Sequence, residues 1–224
     1  YAFSWCLVRQ RIRLFLPSCR NGHAYMQIIP TTNPNTDFDV VEKRLEEIKD
    51  LSSWVQIDLT DGILVKPASF SLELINKTYL NLEKNLFDVH LMVKEPQNWI
   101  QKCLYIHASR VAGQVEMMSN RDKFIITLKD NGLEAALAFD ALTPVDKNIP
   151  KDTDYILLMG RPMGFTSAPL NSHLFDHIKF FKNLGFKVAV DGGISPDNIK
   201  LFEEAGVDIV YSGHYFLDLI HDKN

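Results

Sequence analysis

Gln56-Ile57-Asp58-Leu59-Thr60-Asp61-Gly62 closes an apolar run that opens at Trp54, and the fold turns on how that run is read. In a strand, residues two apart share a face, so Gln56, Asp58 and Thr60 project to one side. The same pattern returns at Phe87 to Met92, where Asp88, His90 and Met92 share a face. Val190-Asp191-Gly192-Gly193 and Ser212-Gly213-His214 repeat the arrangement of polar residues at the end of an apolar run.

Further short runs extend the pattern in both directions. Gln27-Ile28-Ile29, Leu104 to Ile106, Ala135 to Phe139, Tyr155 to Met159, Lys187 to Val190 and Ile209 to Tyr211 read as strands. Between them, Val40-Val41-Leu45-Ile48 and Ile178-Phe181-Leu184 carry helical spacing. Thr36 is expected to start one helix, and Ser195-Pro196-Asp197 reads as a cap with proline in the first turn. Gly132 and Gly185 stand where helices should stop. The pattern is weakest between Leu104 and Ala135 and between Phe139 and Tyr155. Strands alternating with helices define an α/β protein with parallel strands. An open doubly wound sheet also fits the alternation, but no glycine-rich dinucleotide fingerprint follows the first strand. A single (β/α)8 TIM barrel over residues 26–224 is the expected fold.

Residues 1–25 do not share the pattern. They hold Arg9, Arg11, Arg13 and Arg20 and no acid, and they read as a non-native or disordered extension rather than a targeting segment. Of 24 basic residues these four leave 20 against 28 acidic ones, a net of −8 from Met26 on. That balance argues against nucleic-acid binding, which needs a basic face. Every apolar run is shorter than the roughly 18–20 residues of a membrane helix, so no membrane partner is expected. Cys6, Cys19 and Cys103 show no metal-type spacing, and an odd count suits a reducing cytoplasm.

In a barrel of this kind the chemistry is built where the strands end. Each polar residue named above, taken alone, also reads as a cap, a turn residue or a satisfied core group. Together, carboxylates and an imidazole facing one lumen suit proton transfer or a divalent metal.

Asp-Leu-Thr-Asp-Gly at 58–62, Asp-Val-His-Leu-Met-Val at 88–93 and Val-Asp-Gly-Gly-Ile at 190–194 resemble the ribulose-phosphate 3-epimerase family. Pro30-Thr31, Thr143-Pro144 and Leu158-Met159 with Pro162 and Gly164-Phe165 extend the resemblance in sequence order. It implies a sugar-phosphate isomerase that epimerises C3 of a ketose phosphate, D-ribulose 5-phosphate to D-xylulose 5-phosphate, through an enediolate. By the same resemblance Asp58 and Asp191 are the paired acid/base groups, and Asp58, His90 and Asp191 ligate a divalent metal. Met92 and Met159 match pocket-lining methionines, and Thr31 matches a substrate-side serine. Gly164, Gly192, Gly193, Ser212 and Gly213 match phosphate-contacting turns.

Several positions depart from the family pattern. Gln56 replaces a metal-binding histidine and offers an amide oxygen as a fourth ligand, which leaves Zn, Mn or Fe, weakly bound or absent, as the expected cofactor. Thr60 stands for a methionine, and Ser109 is read as standing for the glutamate two residues past a histidine, here His107. A Gly-Phe-Gly-Gly loop becomes Gly164-Phe165-Thr166-Ser167, so Thr166 and Ser167 are expected to contact phosphate by their hydroxyls. Arg161 and His214 are further candidate cations. The partner is then a phosphorylated ketose, and aromatic faces such as Phe180-Phe181 permit a homo-oligomer. The alternative is a catalytically impaired relative that binds a sugar phosphate or other anion without turnover.

Overall fold

A computed structural model describes residues 26–76, 80–165 and 168–221; the expected extension 1–25 and the loop residues Thr166 and Ser167 lie outside the described residues. Eight parallel strands run in the order of a barrel: β1 (Gln27–Pro30), β2 (Trp54–Thr60), β3 (Leu86–Met92), β4 (Ala108–Gln114), β5 (Glu134–Phe139), β6 (Tyr155–Met159), β7 (Lys187–Asp191) and β8 (Ile209–Ser212). β1 pairs with β8, and the ring is completed by a bridge between Thr31 and Gln56, where the Thr32 N–H donates to the Gln56 carbonyl at 3.0 Å. The expected (β/α)8 barrel is the observed architecture.

Helices α1 (Phe38–Ile48), α2 (Ile100–Tyr105), α3 (Arg121–Asp130), α4 (Leu174–Asn183), α5 (Ile199–Glu204) and α6 (Phe216–His221) surround it. In α1, Val41, Leu45 and Ile48 turn one face to the sheet, while Val40 is exposed. Its N-cap is Asp37 rather than the expected Thr36, because the Asp37 carboxylate accepts the Asp39 N–H at 3.0 Å. α5 begins after Asn198 rather than at the expected Ser195; no side chain caps it, and the Ser195 carbonyl accepts the N–H groups of Asn198 and Ile199 in the turn before it. Gly132 and Gly185, both at positive φ, end α3 and α4 as expected. After β5 the chain reaches β6 through residues 140–154 without a helix.

The expected fourth strand at Leu104 to Ile106 is wrong. Those residues close α2, where Ile100 and Cys103 are buried at helical spacing. The true β4 turns Arg110, Ala112 and Gln114 inward and only Val111 between Ser109 and Gly113 outward, and so lacks the apolar run by which the other strands are read.

Two cores result from the strand alternation. Outside the sheet, Val55, Ile57, Leu59, Phe87, Val89 and Leu91 pack with the helices. Inside, a small apolar set of Ile29, Ala112, Ala136, Ala138, Leu157, Ala189 and Ile209 surrounds Tyr155 and Tyr211. Alanines on β4, β5 and β7 leave the lumen room for the two tyrosines.

Candidate active site

The lumen is polar at two levels. At the lower one, Asp88 is wholly buried and accepts hydrogen bonds from Tyr155 Oη at 3.0 Å and from Tyr211 Oη. Arg110 Nη1 stands 3.7 Å from the same carboxylate, and its guanidinium lies 3.7 Å from the centre of the Trp54 ring. Arg110 Nε also donates to Glu134 Oε2 at 2.7 Å. Burial pushes the Asp88 carboxyl up, while Arg110 and the two hydroxyls pull it back. Both tyrosines are raised well above their ordinary range, by burial first and the Asp88 charge second, so they remain donors.

At the upper level, by the strand ends, β2, β3 and β7 bring Asp58, His90 and Asp191 together. Their relative exposures are 3%, 0% and 7%. His90 Nδ1 lies 3.2 Å from Asp58 Oδ1 and 3.5 Å from Asp191 Oδ2. The Thr31 hydroxyl donates to the other oxygen of Asp58, and the Asp58 N–H donates to Thr32 Oγ1 at 3.3 Å. Burial and the facing Asp58 charge raise Asp191 to about 6 against the opposing pull of His90. For His90, burial opposes the charge, but its hydrogen bonds to Asp191 and Asp58, with their charges, push it up to about 9.

Gln56 lies wholly buried in the same lumen, and neither atom of its amide meets hydrogen-bond geometry with a partner. The amide draws the Asp191 pKa down slightly from nearby without the alignment of a true bond. Burying an unpaired amide is costly, so this position favours an added partner. Ligand atoms of Asp58, His90 and Asp191 lie within 4.8 Å of one another, a spacing suited to one divalent cation. Three anionic or imidazole donors and an orphaned amide oxygen fit such an ion, with oxygen donors favouring the harder metals.

The other expected residues fall around this centre. Met92 ends β3 opposite Thr60, and Met159 ends β6 opposite Asp191. The Gly160 N–H donates to the Asp191 carbonyl at 2.6 Å, and a Cβ on Gly160 would stand 2.0 Å from the Gly192 carbonyl oxygen. Only glycine allows that approach, which fixes the backbone of Asp191. Gly192 and Gly193 turn at positive φ, with the Arg161 side chain and Leu170 against Gly193. Ser212 is buried, and the Gly213 carbonyl accepts from Arg44 Nη2 at 2.7 Å. His214 is exposed against Tyr215 and is not brought to the centre. Gly164 in the loop after β6 meets Val65 in the loop after β2, and a cavity of about 160 Å³ lies between them, above Thr60.

Two residues of this site escaped the sequence reading. Gln114, at the end of β4, contacts His90 Nε2 at 3.1 Å, and Glu116 follows two residues later. The reading of Ser109 in place of a glutamate is therefore corrected: it placed β4 too early, and the glutamate at the strand end is Glu116. Its Oε1 accepts the Asp140 N–H at 2.7 Å. Gln-x-Glu closing a strand was the available signal, hidden by the weak apolar pattern of β4.

Fold and site together define a parallel β/α barrel with two carboxylates and an imidazole converging at its C-terminal mouth. The model of the ribulose-phosphate 3 epimerase family matches residues 31–217, and the chain belongs to that family. A Chlamydia pneumoniae protein named ribulose-phosphate 3-epimerase is 28% identical over 194 residues, covering 82% of this chain and 83% of its own. A Bacillus subtilis protein of the same name is 26% identical over 180 residues, covering 75% and 82%. Among solved structures, a mutant tryptophan synthase α-subunit from Pyrococcus furiosus superposes with a TM-score of 0.65 at 14% identity, covering 89% of this chain and 91% of its own. That likeness concerns the fold alone.

Proposed function

We propose that the protein is an isomerase that epimerises C3 of a ketose phosphate, D-ribulose 5-phosphate to D-xylulose 5-phosphate, with Asp58 and Asp191 as acid/base groups. The observation that carries this reading is the pair of buried carboxylates on β2 and β7, held apart by one imidazole. Two such groups can stand on opposite faces of a planar intermediate. One carboxylate takes the C3 proton, the C3–H electron pair enters the enediolate, and the other carboxyl returns a proton to the opposite face. In the metal-free site burial and the Asp58 charge raise Asp191 to about 6, which suits a group that must hold and release a proton. Thr31 holds Asp58 by its hydroxyl and so fixes the direction of its lone pairs.

Asp58, His90, Asp191 and the Gln56 amide oxygen would hold a divalent metal (Zn, Mn or Fe). When bound it supplies Lewis-acid stabilisation of negative charge on the oxygens next to C3. Met92 and Met159 give the sugar an apolar lining. The backbone at Gly164, Gly192-Gly193 and Ser212-Gly213 receives the phosphate, with Arg161 adding a positive charge beside Gly193 and Thr166 and Ser167 adding hydroxyls. Met163, one residue before Gly164, is anchored by its N–H to Asp140 Oδ1 at 2.7 Å. The buried free thiol of Cys103 fits a cytoplasmic setting.

A coupled assay of xylulose 5-phosphate formation, with Mn²⁺, Fe²⁺, Zn²⁺ or chelator present, tests the reading. Turnover that is lost in Asp191→Asn supports it. Folded protein that binds a sugar phosphate without turnover under every metal supports the impaired relative instead.

A further inference from the structure

His90 has two ring nitrogens, and only Nδ1 faces the carboxylates. A neutral imidazole holds one proton, so His90 can offer a lone pair at Nδ1 only if that proton sits on Nε2. What lies at Nε2 therefore governs what Nδ1 can do. The residue there is Gln114, wholly buried at the end of β4.

A primary amide has a donor end and an acceptor end, and the surroundings of Gln114 leave one way to place them. On the side away from His90 stand two acceptors, the Ala138 carbonyl and the Glu116 carboxylate. With its nitrogen on that side, Gln114 donates to Ala138 O at 2.9 Å and to Glu116 Oε2 at 2.7 Å. Its oxygen then faces His90 and accepts from Nε2 at 3.1 Å. The reverse placement would set an oxygen against two oxygens inside the barrel, with no donor between them. Glu116 is itself fixed, since its Oε1 accepts the Asp140 N–H at 2.7 Å and the Thr143 hydroxyl bonds to its carboxylate.

We propose that Glu116, acting through the Gln114 amide, is a positioning pair that holds the proton of His90 on Nε2 and so presents Nδ1 to a divalent metal. This rests on the reading of Asp58, His90 and Asp191 as a metal centre. Gln114 and Glu116 touch neither substrate nor metal; they act only by the orientation of the ring and the place of its proton. Outer partners of this kind typically change metal affinity by about 10–100-fold when lost.

The test is a Mn²⁺ titration by calorimetry on the full chain, together with the imidazole proton–nitrogen NMR spectrum of metal-free protein at neutral pH. Gln114→Leu is expected to bind Mn²⁺ about 10–100-fold more weakly. Its His90 Nε2–H signal should move upfield as the hydrogen bond is lost. Gln114→Glu alone places two carboxylates together and should also weaken binding. Combined with Glu116→Gln, it restores the charge, an acceptor at Nε2 and a donor between positions 114 and 116, leaving only the Ala138 carbonyl without its donor, and affinity should rise well above that of Gln114→Glu alone. The exchanged pair also keeps the test decisive where Gln114→Leu fails to fold. Wild-type affinity in Gln114→Leu, an unmoved Nε2–H signal, or no recovery in the exchanged pair overturns the proposal. A wild-type protein that binds no divalent metal overturns the metal reading instead, and the NMR signal alone then decides whether Gln114 accepts from Nε2.

Discussion

The two polar levels of the lumen are equally buried and differently satisfied. In the lower level one carboxylate, Asp88, meets one guanidinium and two hydroxyls, so its charge is matched, although Arg110 Nη1 stands beyond hydrogen-bond distance of it. In the upper level two carboxylates share one imidazole, and the amide of Gln56 is left unpaired. Burial alone does not mark a functional residue; two like charges brought together around one imidazole do. The lower level can be understood as a plug that fills and orders the barrel. The upper level has the spacing to receive a cation.

This contrast predicts opposite outcomes for conservative changes at the two levels. The largest effect is expected from Asp58→Asn, which should reduce kcat/KM by about 10²–10⁴-fold, the usual worth of a positioned acid/base group. Its stability should change far less than its activity, because the like charge facing Asp191 is removed together with the attraction to His90. A stability loss as large as the activity loss would show that the upper level is structural after all. Asp88→Leu should do the reverse. It leaves Arg110 without its buried counter-ion, and breaking such a pair costs about 3–5 kcal/mol, read as a lower denaturant midpoint. The remaining folded enzyme should keep most of its kcat. Were kcat to collapse while stability held, the two levels would not be separable.

A smaller effect is expected at Gln56. Gln56→His should tighten Zn²⁺ binding by about tenfold, equivalent to about 1.4 kcal/mol, and favour Zn²⁺ over Mn²⁺. Equal affinity in a calorimetric titration would mean that the orphaned amide does not face the metal position. The pH dependence of metal-free stability tests the charges of the upper level directly. His90 is raised from 6.5 to about 9, so its stabilising contribution is complete below about 6.5 and is lost as pH rises through 9. Asp191, raised from 3.8 to about 6, contributes most below 3.8 and loses that contribution through 6. The melting temperature of metal-free protein should therefore fall from pH 6 to pH 9.5, and His90→Asn should flatten the upper part of that slope. A rising profile over that window would contradict the His90 shift.

The sequence reveals these levels to different degrees. Asp58, His90 and Asp191 are legible because each follows an apolar strand that period-two alternation identifies, and each interrupts that strand on the lumen side. Gln56 and Asp88 are legible by the same alternation, but their partners are not. Tyr155 reads as one more apolar residue of β6, and nothing local tells that its hydroxyl reaches a carboxylate 67 positions earlier. Gln114 and Glu116 are hidden for another reason. β4 faces the lumen with Arg110, Ala112 and Gln114 and the helices with Ser109, Val111 and Gly113, so the strand lacks the hydrophobic run that betrays the others. Its neighbour α2 supplies a false one at Leu104 to Ile106. A polar lumen face stays legible where the outer face is apolar, as in β2 and β3, and is lost where the outer face is small and polar, as in β4.

The central claim is that the upper level moves a proton at carbon. It is tested most directly by incubating the full chain with ribulose 5-phosphate in D₂O and following the C3–H signal by proton NMR, with Asp58→Asn alongside. The account predicts metal-dependent loss of that signal in the wild type and its persistence in Asp58→Asn. Retention of C3–H in folded, metal-loaded wild-type protein, or equal exchange in the variant, would contradict it.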